Sequence, residues 1–184
     1  MRLVNLALIT GVMFASASAA QAADTSSVTG VVDINGSVAN RCLFTLPSDV
    51  ISVGELANGG SDASTGKLNP SKLNGESRTL TGWCNGTAAS MTVEALPLLN
   101  TSYSGTVPAG FETRIDYSAA ALANGQTATD SSSVGGTGSA VNVGMFAGDV
   151  VVTLSGSATP ANGLLVAGAY SGQVLVTLSP NVEL

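Results

Sequence analysis

Glu112 and Asp116 are the two carboxylates whose spacing could support acid–base chemistry. Their separation in "FETRIDY" is even, so on a β-strand both side chains would lie on the same face. Arg114 lies between them on that face and balances their charge. We therefore expect a solvated, charge-paired surface, and we treat an enzyme that uses Glu112 as its acid or base as the less favoured hypothesis.

The residue types and motifs that most enzymes and metal sites need are missing from this sequence. There is no histidine, which excludes Ser-His-acid and Cys-His catalysis and the commonest zinc sites. The glycine-rich "SSSVGGTGS" is followed by neither Lys-Ser/Thr nor a helical pattern, so it predicts a loop and not a phosphate site. The 6 basic residues are outnumbered by 12 acidic ones and do not cluster. We expect no enzyme activity, no cofactor, no metal and no nucleic-acid partner.

The N-terminus has the layout of a secretory signal peptide. Met1 and Arg2 are followed by an apolar run over residues 3–14 and then by small residues that end in "AQA" at residue 22. The apolar run is shorter than the ~20 residues that span a bilayer, which favours cleavage over a membrane anchor. No later apolar segment is long enough to span a membrane. We expect residues 1–22 to be removed, and the rest to be exported as one domain with no membrane insertion.

Cys42 and Cys84 are the cysteines of this protein. In an exported protein an even number of cysteines indicates a disulfide, which would join an early strand to the middle of the domain. Two free thiols or half of a metal site are less favoured, because the sequence lacks histidine and CxxC spacing.

Three aromatic residues flank possible binding sites. Trp83, next to Cys84, could be a ligand platform, but packing in the core of a sandwich is favoured. Tyr103 and Phe111 could form a patch on which sugars stack, but we expect them to fill the edge of the sandwich.

Alternation of apolar and polar residues, the period of a β-strand, recurs along the mature protein. It occurs in "VVDINGSV" (31–38), "SMTVEAL" (90–96) and "GQVLVTL" (172–178), whereas no window has apolar residues at helical spacing. Further strands are predicted at residues 50–56, 78–84, 111–117, 140–146 and 149–156, with exposed loops at residues 57–66, 124–139 and 155–163. Because no crossover helices could cover a parallel sheet, the sequence predicts an all-β, antiparallel sandwich.

The mature protein begins with a long apolar stripe. Its even-numbered residues from 28 to 38 form one continuous face, longer than the ~5 to 6 residues of a typical strand. A strand at the very N-terminus, preceded by the small polar residues 23–27, can leave its own domain easily. One half of the stripe could begin this domain while the other half adds as a strand to a neighbouring molecule.

The order and spacing of four motifs carry a resemblance to a known family. The motifs are "VVDINGSVANRC" with the first cysteine, "ISVGEL", "LTGWC" with the second cysteine, and the C-terminal "GAYSGQVLVTLSP". Together they resemble the pilin subunits of the chaperone-usher pathway, of the type 1 fimbrial kind. The related spore coat protein U-like secreted domains also combine a C-terminal "Y…V.VT" strand with a disulfide.

The resemblance implies an immunoglobulin-like sandwich that lacks its last strand. In that family a periplasmic chaperone lends a strand to the exposed core, and at the outer-membrane usher the N-terminal extension of the next subunit replaces it. Carried onto this sequence, the extension is residues 23–32 and the sandwich domain is residues 33–184. The donor face consists of Val28, Gly30, Val32 and Ile34. The acceptor groove is flanked by the C-terminal strand, which carries Val174, Val176 and Leu178 and in the family also pairs with the chaperone.

We therefore expect a structural subunit of a surface fimbria, which serves adhesion or biofilm formation. It would pass through the periplasm of a Gram-negative bacterium to the cell surface and polymerise with identical or related subunits. The alternative is a secreted, monomeric sandwich, either spore coat U-like or carbohydrate-binding, whose N-terminal stripe pairs within its own sheet. The two hypotheses differ in whether residues 23–32 pair with their own domain.

Overall fold

The computed structural model describes residues 26–180. The predicted signal peptide, the first residues of the predicted extension and the last four residues of the protein lie outside the described residues. The protein divides into two units, one up to Ser37 and one from Val38 onwards. In the first unit, residues 26–37 belong to no strand and are exposed.

The second unit is an antiparallel β-sandwich, which confirms the predicted fold class. Its strands are β1 (Cys42–Leu46), β2 (Ser77–Cys84), β3 (Ser90–Asn100), β4 (Phe111–Glu112), β5 (Arg114–Ala123), β6 (Gln126–Ser131), β7 (Val141–Asn142), β8 (Phe146–Ala158), β9 (Leu164–Leu165) and β10 (Tyr170–Ser179). Within the described part of the protein, a short 3-10 helix at Pro70–Lys72 is the one helical element.

The strands β1, β2, β8, β5, β3 and β10 follow one another in this order in a continuous antiparallel sheet. β6 adds to β5 and β7 adds to β3, while β4 and β9 form a small parallel pair. The sheet folds over itself, because a Cβ added to Gly82 of β2 would lie 3.0 Å from Phe44 Cδ1 and 3.2 Å from Leu178 Cδ1. The first and last strands of this order therefore approach each other at Gly82, where a side chain would have to displace its neighbours.

The core is built from alternate residues of the long strands, as their period of two predicts. The buried side chains include Met91, Val93 and Ala95 of β3, Ile115, Tyr117, Ala119 and Ala121 of β5, and Val150, Val152 and Leu154 of β8. Half-buried side chains of β1 and β10 pack against this cluster. Small alanines on β5 let the two layers of the sandwich pack closely around it.

The predicted strand at residues 50–56 is wrong. These residues belong to no strand, although Ile51 and Val53 pack half-buried against the core. Alternation is present in the segment, but a strand also needs a neighbouring strand with which to share backbone hydrogen bonds. None of the described strands lies beside it in the sheet, apart from an isolated bridge between Ala57 and Leu68.

The predicted loop at residues 124–139 is also wrong in part, because it contains β6. Asn124 and Gly125 have positive φ angles of 48° and 74° and join β5 to β6 in a tight hairpin. This Asn-Gly pair between alternating residues is the hairpin signal that the loop prediction overlooked. The predicted strand at 140–146 shortens to β7, because the Val143 and Gly144 N–H groups both donate to Ala89 O and leave the ladder.

Candidate functional site

A long groove opens in the sandwich between β10 and residues 47–57. Its volume is about 1230 Å³, which is large for a small-molecule pocket. Apolar side chains from both layers line it: Ile51, Val53, Leu56, Leu80, Leu98, Val152, Leu154, Leu165, Val174 and Val176. The groove therefore exposes part of the hydrophobic core along an extended path.

One wall of the groove is the outer edge of β10, where backbone hydrogen-bonding groups point outwards. The Ala95 N–H of β3 donates to Asp130 Oδ2 (2.8 Å), so it points away from β10. Residues directly opposite each other in an antiparallel pair either bond each other or both point away. Ala95 is opposite Val174, so the N–H and C=O groups of Val174 face the outer edge, and those of Val176 and Leu178 follow by alternation. Among the described residues β10 is the last strand of the sheet, and no strand covers this edge.

The structure distributes the three predicted β10 residues along this wall. Val174 and Val176 line the groove, and their half-buried side chains pack against the core. Leu178 is not among the residues that line the groove, because it packs over Gly82 near Phe44. The groove is thus filled by the protein's own side chains at the Leu178 end and open beside Val174 and Val176.

The other wall is the extended segment of residues 47–57. Ile51 and Val53 turn towards the core, whereas Val50 between β1 and this pair is 71% exposed. Arg78 Nε donates to Val50 O (2.8 Å) and fastens the middle of the segment to β2. Arg78 also lies 3.9 Å from Asp49 Oδ1, an exposed ion pair of small energetic value.

Tyr117 lies beneath the groove and connects its β10 wall to β3. Its hydroxyl is hydrogen-bonded to Leu96 O (2.7 Å) on β3 and to Gln173 O (2.9 Å) on β10. Burial raises the pKa of Tyr117 to about 12, because an ionised phenol loses its hydration there. The register between the two strands shifts next to Gln173, and a Cβ on Gly172 would lie 2.8 Å from Pro97 O. The tyrosine therefore holds β10 at the irregular point of its ladder.

The predicted disulfide is confirmed, since Cys42 of β1 is bonded to Cys84 of β2. The next residue, Asn85, extends this connection to the residues that precede β1. Its Oδ1 accepts from the Arg41 N–H (2.6 Å), its Nδ2 donates to Ala39 O (3.0 Å), and its own N–H donates to Arg41 O (3.0 Å). The asparagine acts as a strand partner for residues 39–41, so the backbone is held to the sandwich from residue 39 onwards.

The residues predicted as a donor face lie in the exposed first unit. Val28, Val32 and Ile34 are 93%, 85% and 92% exposed, and a Cβ on Gly30 would meet no atom within 4 Å. Exposed apolar residues in a continuous row are uncommon in soluble proteins and mark surfaces that bind a partner. The sequence alone predicted which residues form this row. The structure adds that the side chains of Val28, Val32 and Ile34 are exposed.

The predicted core position of Trp83 is wrong. Trp83 pairs with the exposed Leu43 in the β1–β2 ladder and does not belong to the core cluster. Its neighbour Cys84 is buried, and successive residues of a strand face opposite sides. The sequence contained this signal, because a tryptophan directly beside a buried cysteine on the same strand must point outwards.

Tyr103 and Phe111 do lie together, at the end of the loop over residues 101–110. They are 37% and 42% exposed and border a small apolar depression of about 190 Å³ with Pro108, Val166 and Ala167. The Tyr103 hydroxyl donates to Thr106 O (2.8 Å) in its own loop. The two rings therefore cover the sandwich edge only in part.

The carboxylate pair is divided between two structural roles. Arg114 Nη2 donates to Asp116 Oδ1 (2.8 Å) and to Ser132 O (2.8 Å), which links β5 to the residue after β6. Glu112 Oε1 accepts instead from the Ala161 N–H (2.9 Å). Each carboxylate therefore has its own hydrogen-bond partner.

No protein-family model matches this sequence, and no curated protein matches it. Between residues 26 and 180 no helix is long and apolar enough to span a membrane, and no group of three or more His, Cys, Asp or Glu residues could hold a metal ion. The candidate features that the described residues present are the groove beside β10 and the exposed apolar row.

Proposed function

We propose that this protein is a structural subunit of a surface fimbria that polymerises by donor-strand exchange. The observation that carries the proposal is the groove of about 1230 Å³, which exposes core side chains beside an outward-facing row of β10 backbone groups. These are the two features that an added β-strand needs: apolar sites for alternate side chains and backbone groups for a new ladder.

The donor is the exposed apolar row of a second copy or of a related subunit. Val28, Gly30, Val32 and Ile34 share one face of an extended segment, so they can enter the groove together while the residues between them face solvent. Burial of the three large side chains would contribute about 1.5 to 3 kcal/mol each, and ordering of the segment offsets part of this. A joint of this kind is head-to-tail and does not close on itself, so it builds a filament.

The exposed core also supports the proposed route of assembly. Before a donor arrives, the groove leaves apolar surface open to water, which favours aggregation. A periplasmic chaperone that lends a strand to the β10 edge would protect it, and an outer-membrane usher would exchange that strand for the next subunit. The finished fibre would lie on the cell surface of a Gram-negative bacterium and serve adhesion or biofilm formation.

The proposal can be tested by substituting two neighbouring valines that are equally exposed. Val31 and Val32 are 80% and 85% exposed, but only Val32 lies on the donor face. The mature protein is expressed in a periplasm with a chaperone and usher of this pathway, and unheated and heated samples are compared on a denaturing gel. A ladder that disappears on heating should form with the wild type and with Val31→Asp, and should be absent with Val32→Asp and after deletion of residues 23–30.

Two outcomes would contradict the proposal. A ladder that persists with Val32→Asp would show that the even-numbered face is not the donor face. A wild-type protein that is a stable monomer without a chaperone, and that forms no ladder, would favour the secreted monomeric module. In that case the half-exposed Tyr103 and Phe111 would be the first residues to test for binding to sugars.

A further inference from the structure

Six asparagines in this protein are followed directly by glycine: Asn35, Asn58, Asn74, Asn85, Asn124 and Asn162. An Asn-Gly pair is chemically labile, because glycine has no side chain to hinder attack by its own backbone nitrogen on the asparagine side chain. The attack needs the amide and the backbone to rotate freely. The six pairs share one local sequence, so differences in their reactivity report their structural environments.

Four of the six side-chain amides are held by hydrogen bonds in the sandwich unit. Asn85 bonds to Ala39 and Arg41, Asn124 Nδ2 donates to Val143 O (2.8 Å), Asn74 Oδ1 accepts from the Ser157 N–H (2.9 Å), and Asn58 Nδ2 donates to Leu68 O (3.3 Å). Rotation of any of these amides requires a local opening of the structure.

Asn162 is exposed, but its backbone is constrained. Its φ angle is 53°, and its N–H donates to Thr159 O (3.4 Å) in the turn that precedes β9. A Cβ on Gly163 would lie 2.7 Å from Gly110 O, so the glycine is packed tightly against a neighbouring strand end. The glycine nitrogen of this pair therefore cannot move freely towards the side chain.

Asn35 differs from the other five. It lies in residues 26–37, the described part of the first unit, which are exposed and belong to no strand, and nothing lies within 4 Å of a Cβ placed on Gly36. Its amide has neither burial nor a strand ladder to restrict it. Among the six pairs, an exposed asparagine outside any strand or tight turn, followed by a glycine with open space around it, occurs at Asn35–Gly36.

We propose that Asn35–Gly36 is a deamidation site of the free subunit. Base removes a proton from the Gly36 nitrogen, which attacks Asn35 Cγ; a new C–N bond forms, the bond from Cγ to Nδ2 breaks, and ammonia leaves. Water then adds to either carbonyl carbon of the cyclic imide and opens the ring. The product is aspartate or isoaspartate at residue 35, with one new negative charge and, for isoaspartate, one extra carbon atom in the backbone.

The modification falls between the donor face and the point at residue 39 where Asn85 begins to hold the backbone. A longer backbone there would shift how far the donor residues reach from the sandwich. This consequence depends on the proposed function, and the reactivity of Asn35 does not. In a fibre, pairing of the neighbouring donor residues 28–34 with the next subunit would restrict the Gly36 backbone and slow the reaction.

The site is tested on the mature, disulfide-bonded monomer, incubated at mildly alkaline pH and mapped by peptide mass spectrometry over time. Asn35 should deamidate at least about tenfold faster than any of the other five asparagines, the factor that corresponds to about 1.4 kcal/mol of local opening. In denaturant the six rates should converge, because their local sequences are alike. Gly36→Ala should slow the reaction at Asn35 and leave the other five rates unchanged.

An equal or faster rate at any of the other five sites of the native monomer would overturn the proposal, as would an unreactive Asn35. A separate comparison of fibre with monomer addresses the proposed function. Fast reaction at Asn35 in the monomer and slow reaction in the fibre would support both proposals. Fast reaction in both would keep the deamidation site but contradict the restriction of Gly36 by pairing of the neighbouring donor residues.

Discussion

The segments "VVDINGSV" (31–38) and "GQVLVTL" (172–178) have the same alternating pattern and opposite environments. In β10 the apolar residue Val176 is half-buried and pairs with β3, whereas Val32 in the N-terminal segment is 85% exposed and belongs to no strand. Alternation therefore defines which side chains share a face, and a neighbouring strand decides whether that face is buried. Among residues 26–180, β10 therefore has a neighbouring strand on one side, and the N-terminal segment has none on either side.

Removal of the disulfide should cause the largest loss of stability. This loss should affect β10 and not the N-terminal segment of residues 26–37. Cys42 and Cys84 are separated by 42 residues, and Cys42→Ser with Cys84→Ser should lower the free energy of unfolding by about 4 kcal/mol in the chain-entropy estimate. Denaturant unfolding measures the loss, and amide hydrogen exchange locates it. Protection should fall in β10 and stay absent in residues 26–37, and an N-terminal segment that is protected before the change would contradict the contrast.

Alkaline pH should weaken the attachment of β10 through Tyr117. The pKa of Tyr117 is raised from 10.0 to about 12 in the folded protein, so its contribution is complete below pH 10 and is lost as the pH rises towards 12. The loss should amount to about 1 to 2 kcal/mol after an allowance for solvent screening. Stability measured against pH should show this decline in the wild type and a smaller one in Tyr117→Phe. Equal declines would show that the hydroxyl is not buried.

A matched pair of truncations compares the two segments directly. Val176→Ala removes half-buried methyl groups and should lower the stability of the monomer by about 1 kcal/mol. Val32→Ala removes the same atoms from an exposed side chain and should leave the melting temperature of the monomer unchanged. If Val32→Ala destabilises the monomer as much as Val176→Ala, the N-terminal segment packs on its own domain.

The smallest effect is expected on the wall opposite β10. Arg78→Gln removes the bond from Arg78 Nε to Val50 O, which is half-exposed and should contribute about 0.5 kcal/mol. Amide exchange at residues 50–53 should become faster while exchange in β10 stays constant. An equal change in both walls would show that residues 47–57 and β10 open together and are not independent.

Much of the fold was predictable from the sequence, and two of the errors have a common origin. The long strands β2, β3, β8 and β10 coincide with predicted strands, and the disulfide was predicted from the number of cysteines and the predicted signal peptide. Residues 50–56 and Trp83 were assigned wrongly because each was considered without its neighbours. The first needs an adjacent strand, and the second faces away from the buried Cys84 beside it.

The candidate site was predictable only as two separate patterns. The sequence contains the apolar face with Val28 and Val32 and the C-terminal alternation with Val174 and Val176, but neither pattern reveals whether an edge is covered. The contribution of Tyr117 had no sequence signal, because its two carbonyl partners belong to residues far away in the sequence.

By itself the sequence determined that this protein is all-β and which residues share a face, since both follow from local periodicity. It also determined which cysteines pair, because there are two of them. Only the tertiary structure decided that β10 is the last strand of a sheet whose ends meet at Gly82 and leave a groove beside Val174 and Val176. The physical reason is that an uncovered edge depends on the order of all strands in space. That order is fixed by long-range backbone pairing and core packing, which no local pattern contains.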